Sequence, residues 1–190
     1  MNSLSSSQQS ALLTLARQSI RHGLQHGKPL PAPATEDALL RAPGACFVTL
    51  TLDGDLRGCI GSLEAHRSLL QDVCDNAFAA AFRDPRFPPL SAAELPRVHL
   101  EISVLGPLRE IHFRDEVDLL EQIVPGEDGL VLEDSGHRGT FLPLVWEQLP
   151  DKHQFWLQLK RKAGLPPHHW SGNLRVYRYR TQVFAEGAGP

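Results

Sequence analysis

The stretch "ACFVTLTLDGDLRGCIGSLE", residues 45–64, decides how the chain begins to fold. Two short runs of alternating apolar and polar side chains flank Asp53-Gly54-Asp55, a turn signal, and so read as a β-hairpin. Its register sets which side chains share a face, because a slip of one residue turns every one of them over. A two-residue loop at Asp53-Gly54 pairs Leu50 with Arg57 and places a charge among apolar neighbours. A three-residue loop from Asp53 to Asp55 pairs Leu52 with Leu56, Leu50 with Gly58 and Val48 with Ile60. The second register is chemically consistent and is the expectation. It puts Thr49, Thr51, Arg57 and Cys59 together on the face opposite the apolar one.

A third strand, "VHLEISVL", alternates in the same way and adds His99, Glu101 and Ser103 to that polar face if it joins the same sheet. A thiol, a guanidinium, a carboxylate and an imidazole then share one surface. Cys59 is the candidate nucleophile, Arg57 favours its thiolate by charge, and Glu101 or His99 moves a proton. Gly58 and Gly61 are expected to leave room for a ligand to approach the backbone beside Thr49. A plainer alternative stays open. Free cysteines often fill space, a strand glycine often marks only a bulge, and Arg57 could simply pair with Glu101. Cys46 and Cys74 lack such surroundings and read as core.

Working outward, Leu13, Ala16, Ile20 and Leu24 recur at helical spacing, with Ser6 and Gln9 as a capping box and Gly23, Gly27 and Pro29 at the exit. "KPLPAPAT" is a proline-stiffened connector. A helix from about Ser68 to Phe82 turns Leu70, Val73, Ala77 and Ala81 inward and stops before Asp84-Pro85. Shorter helical patterns lie near Glu116 to Ile123 and Asp151 to Ala163. "GLVLED" and "HRGTFL" form a second hairpin around Ser135-Gly136, and "RVYRYRTQVF" reads as one last strand.

Hairpin, helix and strand thus occur twice, with Arg57-Gly58-Cys59 opposite Arg138-Gly139-Thr140. The fold class expected is α+β, a mainly antiparallel sheet with flanking helices and an internal duplication of the hairpin-helix-strand unit. The organisation expected is an N-terminal helix and connector over 1–43, a domain over 44–182 that could form two lobes, and a tail over 183–190. The Ser-rich start and the tail "EGAGP" are expected to fray.

A formal net charge of −3 gives no global basic field for nucleic acid, although bases crowd Lys152 to Arg180. Three cysteines without a Cys-x-x-Cys pair argue against a disulfide framework or a thiolate zinc site. The apolar run in "ALLTLARQ" is too short for a signal peptide and none spans a bilayer, so a cytoplasmic protein without a membrane partner is expected. No P-loop, dinucleotide fingerprint or Gly-x-Ser-x-Gly elbow is present, and neither a cofactor nor a metal is expected. His168-His169 reads as a surface loop before a metal tract, Trp146, Phe155, Trp156 and Leu159 as core, and "FRDPRFPPL" as a helix-terminating turn that could also hold an anion.

"LRGCIGSLE", with "FVTL" before it and "AAFRDPRFPPL", "EISVL", "DGLVLE" and "GTFLPLVWEQLPD" after it, resembles the AMMECR domain family, whose bacterial members are called AmmeMemoRadiSam system protein A. The resemblance runs from Gly44 to Tyr179, with Leu56 to Gly61 as the family signature. It implies an α+β fold with antiparallel sheet and internal duplication. It also implies a cytoplasmic protein whose genes travel with those of a Memo-like protein, related to non-haem iron dioxygenases, and a radical S-adenosylmethionine (SAM) protein. It supplies no reaction.

Three functions are therefore weighed. The first is an enzyme or enzyme component in which Cys59 binds or attacks a small electrophilic or oxidised ligand, Arg57 holds an anionic group and Glu101 assists proton transfer. The second is a module docking a Memo-like or radical SAM partner through the same face. The third, nucleic-acid association through Lys160, Arg161, Lys162 and the C-terminal arginines, ranks last.

Overall fold

The computed structural model describes residues 3–187. In chain order the elements are α1 (Ser6–His26), α2 (Ala38–Arg41), β1 (Cys46–Leu52), β2 (Asp55–Gly61), α3 (Leu69–Phe82), β3 (Val98–Leu105), β4 (Arg109–Ile111), α4 (Glu116–Gln122), β5 (Gly129–Asp134), β6 (His137–Phe141), a 3-10 turn (Pro143–Glu147), α5 (Lys152–Lys162), β7 (Arg175–Tyr179) and β8 (Thr181–Ala185). The fold is α+β, with two antiparallel four-stranded sheets ordered β2-β1-β3-β8 and β4-β7-β5-β6. Two compact units result: Gly106–Thr181, and residues 3–105 with 182–187.

Each unit follows the same plan. In the first, the hairpin partner β1 lies between β2 and β3; in the second, β5 lies between β6 and β7. Both hairpins turn on two residues in the left-handed region, Asp53 (φ 54°) with Gly54 (φ 93°) and Ser135 (φ 49°) with Gly136 (φ 88°). Two consecutive positive φ values make the tight turn whose twist matches antiparallel strands. The expected duplication is thus present in the topology.

The first loop is therefore of two residues, not three. Leu52 pairs with Asp55 and Thr51 with Leu56, and the register then shifts at a β-bulge, so that Leu50 pairs with Gly58, Thr49 with Cys59 and Val48 with Ile60. The expected pairs at Val48 and Leu50 hold, and the pair Leu52 with Leu56 does not. Arg57 is the extra residue of the bulge. The second hairpin has no such insertion: Glu133 pairs with Arg138 and Leu132 with Gly139 in unbroken register.

Helix α3 covers the first sheet so closely that a Cβ on Gly58 would lie 2.1 Å from the Ala80 carbonyl oxygen. Gly139 has the matching place under α5, where a Cβ would meet Ala163 at 2.9 Å and the Leu159 carbonyl at 3.0 Å. Val48, Leu50, Val73, Ala77, Leu100 and Ile102 are fully buried in the resulting core. In the second unit Trp146 stacks on Phe155 at 3.7 Å among Leu130, Trp156, Leu159 and Val176, so these aromatics are core.

The ends are better held than their composition suggests. The capping box of α1 is Ser5 with Gln8, one residue earlier than expected, and the buried face is Leu12, Leu15, Ala16, Ser19, Ile20 and Gly23. Leu13 and Leu24 are only half-buried. Gly23 is a crossing point and not an exit, since a Cβ there would meet Phe82 and Phe78 of α3 at 2.5 and 2.7 Å. "RVYRYRTQVF" is two strands, β7 and β8, in different sheets. Within the expected tail, β8 buries Phe184, and Glu186 accepts from Arg17 Nε at 2.6 Å. The end of "EGAGP" lies outside the described residues.

Gly58→Ala forces the Ala80 carbonyl and a new methyl group apart and is expected to cost about 1–3 kcal/mol. Gly139→Ala, with more room, is expected to cost less. Urea unfolding of the two variants against the parent chain measures both.

Candidate functional site

The signature Leu56 to Gly61 lies on β2, an edge strand, and most of it is engaged in packing. The bulge buries Arg57 at 7% exposure, away from the polar face where it was expected. Its Nε donates to Glu94 Oε1 at 2.8 Å and its Nη2 to the Pro88 carbonyl at 2.9 Å, with the Phe87 ring 5.9 Å from the guanidinium. A guanidinium taken out of water needs such a partner. Glu94 also accepts from the Ser91 N–H and Oγ, both at 2.8 Å, and Arg57 followed by these donors holds its carboxyl at about 2.

The glycines leave no space for a ligand. The Ala80 carbonyl occupies the site beside Gly58, and the Phe47 ring of the cross-strand pair covers Gly61, where a Cβ would lie 2.2 Å from it. Strand glycines covered by a neighbouring aromatic are a packing device.

The Cys59 backbone is clamped from outside the sheet. Its N–H donates to Asp84 Oδ2 at 2.9 Å, and its carbonyl accepts from Arg86 Nη2 at 3.3 Å. Arg86 also grips Asp84 through Nε at 2.9 Å and Nη2 at 2.7 Å. That grip, led by the Arg86 side chain, holds the buried Asp84 carboxyl well below the usual carboxylate range. Asp84 and Arg86 thus satisfy the edge groups that a further strand would otherwise bind. The turn "FRDPRFPPL" ends α3 as expected and also supplies this clamp; helix termination alone had concealed it.

With N–H and C=O turned outward, Cys59 and Thr49 form a closely spaced cross-strand pair. Thr49 Oγ1 donates to Cys59 Sγ at 3.4 Å. On the other side of Thr49 the paired residue is Glu101, and His99 lies one row on, opposite Thr51. Cys59, Thr49 and Glu101 therefore form one row across three strands, half-buried, on the face away from α3. The structure brings these three together and separates Arg57, Gly58 and Gly61 from them. The cation that bonds to Cys59 is Arg86, through the backbone carbonyl and not the thiol. Cys46 and Cys74 are fully buried, and burial pushes the Cys74 thiol up to about 12.

The other candidates resolve differently. Lys160 is 2% exposed, 3.4 Å from Glu116 and over the Trp156 ring, while Arg178 meets Asp128 and Arg180 meets Glu127, so much of the basic strip is paired. His169 binds Asp134. Among the described residues no group of three or more His, Cys, Asp or Glu side chains is placed to hold a metal ion, and no helix is long and apolar enough to cross a membrane.

Two matching antiparallel sheets, each with its hairpin under a close-packed helix, and a clamped Arg-Gly-Cys edge strand define a duplicated α+β class. Residues 13–184 match the AMMECR1 family, and the chain belongs to it. A protein of Methanothermobacter thermautotrophicus is 37% identical over 177 residues, covering 92% of each chain. One of Saccharolobus islandicus is 38% identical over 182 residues, covering 92% of this chain and 80% of its own. The crystal structure of an uncharacterized protein from Pyrococcus horikoshii matches with a TM-score of 0.82 at 33% identity, over 93% of this chain and 90% of that one.

The Glu94 carboxyl lies below its ordinary 4.5, so the unfolded chain takes up the proton first as the pH falls. Its contribution is complete above pH 4.5 and is lost as the pH drops towards about 2. Glu94→Gln is expected to lower stability at neutral pH and to flatten the acid loss across that window. Denaturant midpoints taken at a series of pH values test this.

Proposed function

We propose that Cys59 is the centre of a small-ligand site in an enzyme or enzyme component of the cytoplasm, acting by thiol chemistry on an electrophilic or oxidised group. The observation that carries the reading is that Arg57, Gly58 and Gly61 are spent on packing, whereas the Cys59 side chain stays half-buried in contact with the Thr49 hydroxyl. A hydroxyl that donates to sulfur and a guanidinium held on the Cys59 carbonyl are the kinds of neighbour that serve thiol chemistry. In the proposed step Sγ bonds to the electrophilic atom while the bond from that atom to its departing group breaks, and the thiol proton, handed on through the Thr49 hydroxyl that lies between, goes to Glu101 and from there to the departing group. Arg86 takes the role that the sequence suggested for Arg57. The family resemblance supports a Memo-like or radical SAM protein as the partner docked on this face.

Iodoacetamide is expected to label Cys59 in the folded protein and to label Cys46 and Cys74 only after unfolding, as read by peptide mass spectrometry. Arg86→Gln is expected to slow Cys59 labelling at neutral pH. Cys59→Ser is expected to change unfolding stability by about 1 kcal/mol or less. Equal protection of all three thiols, with a Cys59→Ser loss of several times that size, would leave Cys59 a packing residue.

A further inference from the structure

The unit Gly106–Thr181 holds a second cluster that the Cys59 reading does not use. Asp134 ends β5 with its side chain 2% exposed. Its Oδ1 accepts from Ser135 Oγ at 2.7 Å, and its Oδ2 accepts from both Ser171 Oγ and His169 Nε2 at 2.5 Å. A carboxylate can only accept, so Nε2 carries the hydrogen and the lone pair of the neutral ring is at Nδ1. Nδ1 makes no hydrogen bond among the described residues, and the ring is 27% exposed. A carboxylate behind an imidazole fixes the tautomer and stabilises the imidazolium once it forms.

Ser171 is not the nucleophile. Its hydroxyl proton is given to Asp134 and its oxygen accepts from the Asn173 N–H at 3.1 Å, which leaves water as the group that His169 can activate. Trp170, the next residue in the chain, is 39% exposed and its ring lies 5.5 Å from that of Phe113, an aromatic surface one position along the chain from His169.

We propose that His169, backed by Asp134, is a general base for hydrolysis of aryl esters, the aryl group stacking on Trp170. Nδ1 takes a proton from a water whose oxygen adds to the ester carbonyl carbon. The bond from that carbon to the aryl oxygen breaks, and Nδ1 gives its proton to the departing aryl oxide. One water and one ester become one carboxylic acid and one phenol, with no change of oxidation state. A turn-tying Asp134 would need only the two serines; the half-open imidazole is what a structural role leaves unused.

The test follows 4-nitrophenyl acetate hydrolysis by the full chain in a Cys59→Ser background, where a thiol cannot contribute and failure of the Cys59 reading has no effect. His169→Gln and Asp134→Asn are each expected to lower the rate by about 100-fold, and His168→Gln, on the exposed neighbour, to leave it unchanged. Should the first two variants unfold, diethyl pyrocarbonate labelling of the parent chain decides, with His169 modified ahead of His168. Hydrolysis no faster than that by equimolar free imidazole, an equal loss with His168→Gln, or slower labelling of His169 than of His168 would overturn the proposal.

Discussion

The contact between Gly58 and the Ala80 carbonyl is the constraint on which the first unit depends. With no Cβ at Gly58, α3 settles directly on β2, and its last turn ends beside the edge of the sheet. That position brings Asp84 and Arg86 to the N–H and C=O of Cys59 and carries the following loop back so that Pro88 and Glu94 reach Arg57. One close approach thus both buries the apolar face of the sheet and covers its edge at Cys59. An edge strand with unpaired groups invites pairing with another chain, and here two side chains take those groups instead.

The same plan serves the second unit with one residue fewer. Arg138 stays in the ladder and pairs with Glu133 at 3.2 Å, whereas the bulge removes Arg57 from its ladder and buries it. The residue after each glycine also differs in its chemistry. Thr140 gives its hydroxyl to the Leu130 carbonyl at 2.9 Å, while Cys59 receives a hydroxyl from Thr49. Two copies of one backbone scheme therefore present an alcohol that donates in one case and a thiol that accepts in the other.

Buried carboxylates recur at the joints of both units. Asp72 accepts from the Cys46 N–H, Ser62, Arg67 and Asn76, and so ties the start of β1 and the segment after the signature to α3. Asp128 and Asp134 tie loops of the second unit in a similar way. An ionised carboxyl left alone in such places would cost several kcal/mol, so each joint holds only while its donors are in place. Asp134 differs from the others in having an imidazole among those donors.

Local chemistry determined much of this in the sequence. The boundaries of α3 follow from Ser68 as its cap and Asp84-Pro85 beyond its end, and the inward residues of β1 and β3 follow from strict alternation. The pairing of Cys59 with Thr49 was legible too, because a register right at Leu50 and Val48 aligns it, whereas Glu101 joins the row only through the pairing of β1 with β3. The bulge was not legible, since the two-residue turn and the apolar pairing each demand one register and only an extra residue between them satisfies both. The fate of Arg57 lay beyond the sequence for the same reason: its partner Glu94 is 37 positions away, as Asp84 is 25 positions from Cys59. Alternation says which face a side chain takes, but only the packed helix and its following loop decide which charges meet there and whether the space beside a glycine is open or filled.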